Sequence, residues 1–154
     1  MKDVSVMIDN VKFNYRAALI IECRNEILIE INPEIDFVTL PGGRVKTMES
    51  SIEGLRREIK EELNYTIKDK EVNIRGIIEN FFEYEEKEYH ELYFLYKMKI
   101  DNNHKLYKNE LINLDNKNHS FKWVNKKDLK KVNLLPRVLI DWAKTDGFDT
   151  IVLR

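Results

Sequence analysis

The chain has 154 residues, 43% of them hydrophobic and 34% charged, which is enough to bury one core beneath a charged surface. Its 26 basic and 27 acidic residues leave a net charge of -1, which excludes broad non-specific nucleic-acid binding, since that needs a basic surface. A single cysteine excludes an intrachain disulfide, and no apolar run approaches the roughly 18 residues that a membrane span requires.

Strand patterns come first in chain order. Val4–Ile8, Phe13–Cys23 and Ile27–Ile31 are rich in β-branched and aromatic residues, and the turn signal Arg24–Asn25 predicts a hairpin between the latter two. Cys23 closes the apolar run Ala17–Cys23 and is expected to be a buried thiol. Phe37–Leu40 is a short extended piece ending at Pro41-Gly42-Gly43. The period then changes. Ile52, Leu55, Ile59 and Leu63 form a helical apolar stripe. Ser50 followed by Glu53 is a capping box, so the helix is expected over Ser51–Leu63, with Asn64 ending it in a left-handed conformation. Asn73–Tyr84 and Tyr89–Ile100 read as long strands joined by the charged tip Glu85–Glu88. Asp101–Ser120 reads as a loop, Phe121–Val124 as a short strand and Asp128–Lys131 as one helical turn. Pro136 is expected to open a second helix to Lys144, with Val138, Leu139 and Trp142 inward, before a last strand at Phe148–Leu153. No repeat or linker interrupts the chain, so one domain is expected over residues 1–154. With no apolar leader segment in Met1–Asp9, the expected compartment is the cytoplasm.

The chemistry concentrates in Pro41–Tyr65, PGGRVKTMESSIEGLRREIKEELNY. On the predicted helix Glu58, Glu61 and Glu62 share one face, centred roughly 100° from the apolar stripe. Three carboxylates this close repel unless a positive group sits among them, and hard oxygen donors suit Mg2+ or Mn2+. Gly42 and Gly43 leave the backbone free to approach a ligand, and Gly54 in mid-helix costs about 1 kcal/mol against alanine, so a packing or access reason is expected there.

Gly43, Glu49, Arg57, Glu58, Ile59, Glu61, Glu62 and Tyr65 stand at the positions of the Nudix box, G-x5-E-x7-R-E-U-x-E-E-x-G-U, where U is bulky and apolar. Asn64 replaces the final glycine. Such a set of fixed matches arises by chance on the order of once in 10⁵ chains of this length. Leu40-Pro41-Gly42-Gly43 and the later Trp123-Val124, Leu129 and Pro136 also resemble that family. The resemblance implies a Nudix-type α/β/α sandwich with a mixed sheet, the box loop and helix in mid-chain and a C-terminal helix. It implies hydrolysis of a phosphoanhydride bond in a nucleoside diphosphate linked to another moiety. By position, Glu58, Glu61 and Glu62 would hold the metal and act in catalysis, with Glu58 a candidate base and the Gly42 carbonyl a further ligand. Glu49 and Arg57 would brace loop against helix. The metal would be Mg2+ or Mn2+, and the partner a phosphorylated small molecule, a nucleotide derivative, with no membrane involved and a homodimer left open.

Other residues carry less. Arg16 and Arg44 are candidates for phosphate and Phe37 for stacking on a base. In the place where the family often supplies a second, loop carboxylate, Asn116–Lys122 contains no acid; Glu79, Glu91, Glu110 and Asp115 remain open for that role and for the general base. His90, His104 and His119 lack metal-ligand spacing. Lys126, Lys127, Lys130 and Lys131 make a patch too small to imply nucleic-acid binding. A non-catalytic nucleotide sensor on the same fold is the alternative, against which the intact set of three acids argues. The substrate is not legible.

Overall fold

In a computed structural model, which describes residues 1–108 and 110–154, the strands assemble into one mixed sheet. The elements are β1 (Ser5–Ile8), β2 (Val11–Cys23), β3 (Glu26–Ile31), β4 (Val38–Thr39), β5 (Gly42–Arg44), α1 (Ser51–Leu63), β6 (Val72–Tyr84), β7 (Lys87–Lys99), β8 (Leu111–Ile112), β9 (Ser120–Asn125), a 3-10 turn (Lys126–Asp128), α2 (Val138–Lys144) and β10 (Asp149–Leu153). The sheet runs β10-β6-β7-β2-β3-β9-β8, with β1 and β5 also on β2, and β4 on β3. β2 lies parallel to β7 and β10 parallel to β6; the other pairs are antiparallel.

Alternation along the long strands sends side chains to two cores. Ala17, Leu19, Ile21 and Met98 face α1, which buries Leu55, Ile59 and Leu63 against them. Ala18, Ile20, Tyr93 and Leu95 face α2, which buries Leu139, Ile140, Trp142 and Ala143. Each such Leu or Ile contributes about 1.5–3 kcal/mol by leaving water. Arg75 and Lys97 hold the far end of α2, donating to the carbonyls of Trp142, Ala143 and Thr145 where a helix C-terminus favours cations.

The predicted elements recur within a few residues, and Cys23 is buried. Asn64 has φ 51° and ψ 40°, and its N–H donates to the Lys60 carbonyl, so the helix stops as expected. Tip residues Glu85 and Glu86 both have positive φ, the backbone of a two-residue hairpin turn. The differences are local. The second helix begins at Val138 rather than Pro136, because Pro136 and Arg137 form the turn that leads into it. The loop 101–120 contains the two-residue strand β8, too short for any period to reveal; Asn109 of that loop lies outside the described residues.

The β2–β3 hairpin is the informative departure. The two strands pair only at Glu22–Ile27 and Cys23–Glu26 and then part. β3 turns to β9 on its far side, and the returning chain fills the split, with β4 on β3 and β5 on β2. The Pro41-Gly42-Gly43 segment is therefore partly strand, held at the mouth of the split beside β2.

Candidate active site

Two glycines make this approach possible. A Cβ on Gly42, at φ +142°, would stand 2.3 Å from the Ala17 carbonyl oxygen, and one on Gly43 would stand 2.5 Å from the Glu58 carboxyl carbon. The glycine strand thus lies directly against β2 on one side and Glu58 on the other. Gly54 answers to packing: a Cβ there would press on Glu49 and Val45, at 3.2 and 3.3 Å.

The helix places its three acids unequally. At 100° per residue Glu62 falls nearest the apolar stripe, Glu58 next and Glu61 farthest. Accordingly Glu62 is 4% exposed, Glu58 is half-buried and Glu61 is on the rim. Glu62 points into the split: its Oε1 accepts the Gly42 N–H at 3.1 Å and its Oε2 the Asn113 amide at 2.7 Å. Among the described residues no lysine or arginine pairs with it. Burial, reinforced by Glu30 and Glu58 nearby, pushes its carboxyl up to about 9. Burial also raises Glu58, against the pull of Arg57.

Arg57 organises the rim. Its Nε and Nη2 donate to Glu49 at 2.7 and 3.0 Å, Nη2 also reaches the Arg44 carbonyl, and Nη1 meets Glu58 at 2.7 Å and Glu61 at 3.4 Å. Glu49 in turn accepts the Lys46 N–H. The expected brace is present: a forked, partly buried pair tying the loop after β5 to α1. With the guanidinium against Glu58 and Glu61, no three His, Cys, Asp or Glu side chains among the described residues already enclose a metal-sized space. The donor set nonetheless fits a hard divalent cation, because Glu62 is a buried carboxylate facing neutral donors beside two further acids.

The remaining candidates are dispersed. Arg16 is half-buried on β2, in register with Arg44 on β5 and Tyr93 on β7. Arg44 is exposed, 3.8 Å from Asp3. Phe37 meets Tyr84 edge-on, ring centres 5.9 Å apart. Glu91 is buried and accepts from Asn14, on the α2 face; Glu79 and Glu110 are exposed; Asp115 is exposed but close enough to raise Glu58. Two residues absent from the sequence reading stand beside Glu62, namely Glu30 and Asn113, with His119 behind them. Glu30 had a signal, an acid inside the apolar strand Glu26–Ile31; Asn113, one of many asparagines in a polar loop, had none.

A mixed sheet split at β2–β3, with a glycine strand and an acidic helix meeting in the split, defines the chain as an enzyme of the Nudix hydrolase class. The family model for the NUDIX domain matches residues 12–143, and the chain belongs to that family. Solved structures share the fold. The MutT protein from Bacillus halodurans aligns at TM-score 0.66 and 19% identity, over 90% of this chain and 89% of its own. The MutT NUDIX hydrolase from Burkholderia pseudomallei aligns at TM-score 0.64 and 18% identity, over 84% of this chain and 97% of its own. A C. elegans Ap4A hydrolase in a binary complex aligns at TM-score 0.56 and 21% identity, over 85% and 93%. Among curated proteins the sequence finds no match. No helix among the described residues is long and apolar enough to cross a membrane.

Proposed function

We propose that this enzyme hydrolyses a phosphoanhydride bond in a nucleoside diphosphate linked to another moiety, and that it depends on Mg2+ or Mn2+. The observation that carries the reading is Glu62: a buried carboxyl group, with no cationic side chain paired to it among the described residues, beside Glu58 and the glycine strand. Glu58, Glu61, Glu62 and the Gly42 carbonyl would hold the metal. When bound, it would polarise the phosphoanhydride and lower the pKa of water. Glu58, raised by burial, can take up a proton at its carboxylate. Arg57 keeps Glu58 aimed at Gly43. Arg16 and Arg44 are the proposed phosphate contacts and Phe37 the base contact. Ap4A, the substrate class of the C. elegans neighbour, belongs among the first compounds to try. We read residues 1–154 as one domain, supported by the single sheet that takes strands from both ends of the chain, and its compartment as the cytoplasm.

The test is a panel of nucleoside di- and triphosphates, nucleotide sugars and dinucleoside polyphosphates, with released phosphate and nucleoside monophosphate resolved by chromatography. Turnover of at least one compound is expected in Mg2+, lost with EDTA and restored by Mn2+. Tight nucleotide binding with no turnover of any compound would instead support the sensor reading.

A further inference from the structure

We propose that Asn113 is a positioning residue for Glu62: its side-chain amide, wedged between Glu62 and Glu30, holds Glu62 in the orientation that binds the divalent cation. The inference rests on Glu62 being a metal ligand.

Asn113 is 2% exposed, and every side-chain hydrogen-bonding position it has is used in one direction. Its Nδ2 donates to Glu62 Oε2 at 2.7 Å and to Glu30 Oε2 at 2.9 Å. Its Oδ1 accepts the N–H groups of Asp115 and Asn116 at 2.9 and 3.0 Å. The oxygen end faces two donors and the nitrogen end two carboxylates, so the network itself fixes which way the amide points. The Leu114 N–H donates to the Glu62 carbonyl at 2.9 Å, which fastens this loop to the last turn of α1. Glu30, on β3, is held from behind by His119 Nδ1 at 2.9 Å.

The arrangement has an electrostatic purpose. Glu30 and Glu62 are both buried, and neither meets a lysine or arginine among the described residues. One amide nitrogen stands between them and screens one from the other. An ionised acid at position 113 would have no N–H to donate and would set a further carboxyl group beside two buried ones. The amide and the Gly42 N–H each occupy one lone pair of Glu62, on opposite oxygens, and leave the others free for a cation. The loop thus supplies a donor that orients a ligand instead of being one.

A turn-forming role alone would also explain the bonds to Asp115 and Asn116, so the test separates the two ends of the amide. Asn113→Ser keeps an oxygen that can accept those N–H groups but cannot reach the carboxylates. Mn2+ binding, followed by loss of the free-ion electron paramagnetic resonance signal, should weaken about tenfold or more in Asn113→Ser. The Mg2+ concentration for half-maximal hydrolysis should rise in parallel, while kcat at saturating Mg2+ stays near wild type. Tyr107→Phe, which removes a hydrogen bond to Glu26 elsewhere in the same loop, should lose stability without changing Mn2+ affinity. In the wild type, the Asn113 side-chain NH2 resonances should shift on Mg2+ addition, a readout that stands even where the serine variant does not fold. Unchanged Mn2+ affinity in folded Asn113→Ser, or unmoved NH2 resonances, would overturn the proposal while leaving the metal site intact. A wild-type protein that binds no Mn2+ would overturn both.

Discussion

Glu62 is the residue on which stability and function pull in opposite directions. Its carboxyl is raised from 4.5 to about 9, chiefly by burial, so the folded protein keeps a proton that the unfolded chain has already released. Proton uptake then favours the fold, and stability falls as pH rises from about 4.5 toward about 9. Thermal melts of metal-free protein should show this decline. Glu62→Gln, which imitates the protonated acid, should flatten it and melt higher than wild type at pH 8. Added Mg2+ should stabilise wild type more at high pH than at low, since the cation replaces a proton. A metal-free melting profile independent of pH in this range would contradict the account. Asn64 shows the same residue-scale logic in the backbone. At φ 51° it occupies a conformation that costs a side chain with a Cβ about 1–2 kcal/mol, and asparagine tolerates it best after glycine. Asn64→Gly should be neutral or slightly stabilising with activity preserved. Asn64→Val should cost about 1 kcal/mol or more in denaturant unfolding. Equal stability of the two variants would rule out the conformational explanation.

At the scale of elements, the unit that matters is the loop after β5 joined to α1 by Glu49 and Arg57. Arg57 is about a fifth exposed and Glu49 a tenth, so the pair is better shielded than a surface bridge but not fully buried. Arg57→Ala leaves Glu49 accepting only the Lys46 N–H and frees Glu58 and Glu61 to repel each other. It should cost about 2 kcal/mol, less than the loss of a partner from a fully buried pair, and should lower activity as well. Unchanged melting temperature with unchanged turnover would remove the brace from this account. Elements were legible in the sequence where their causes are local. The capping box, the apolar stripe and Asn64 lie within fifteen consecutive residues and fixed α1 to the residue. β5 and β8 were not legible, because strands of three and two residues carry no period and exist only through their partners β2 and β9.

The whole molecule turns on the parting of β2 from β3. Two strands with local hairpin chemistry between them predict continuous pairing; the sheet instead opens after two residue pairs, because β4 takes the inner edge of β3 and the glycine strand takes that of β2. That split brings residues from four distant places to one point: Glu30, Gly42, Glu62 and Asn113. The helix contribution could be read from spacing. The contributions of Glu30 and Asn113 could not, since they depend on which strand pairs with which, a long-range outcome that no window of sequence contains. Glu79 and Glu91, two of the acids left open for a second carboxylate, are exposed and on the α2 face respectively, whereas the strand acid beside Glu62 is Glu30. The most direct test of the central claim is turnover of Glu58→Gln and Glu62→Gln at saturating Mg2+, on whichever compound the wild type hydrolyses, with folding verified by circular dichroism. Both variants should remain folded and each should lose about a hundredfold or more in kcat. Near-normal turnover in both would contradict the assignment of these carboxylates.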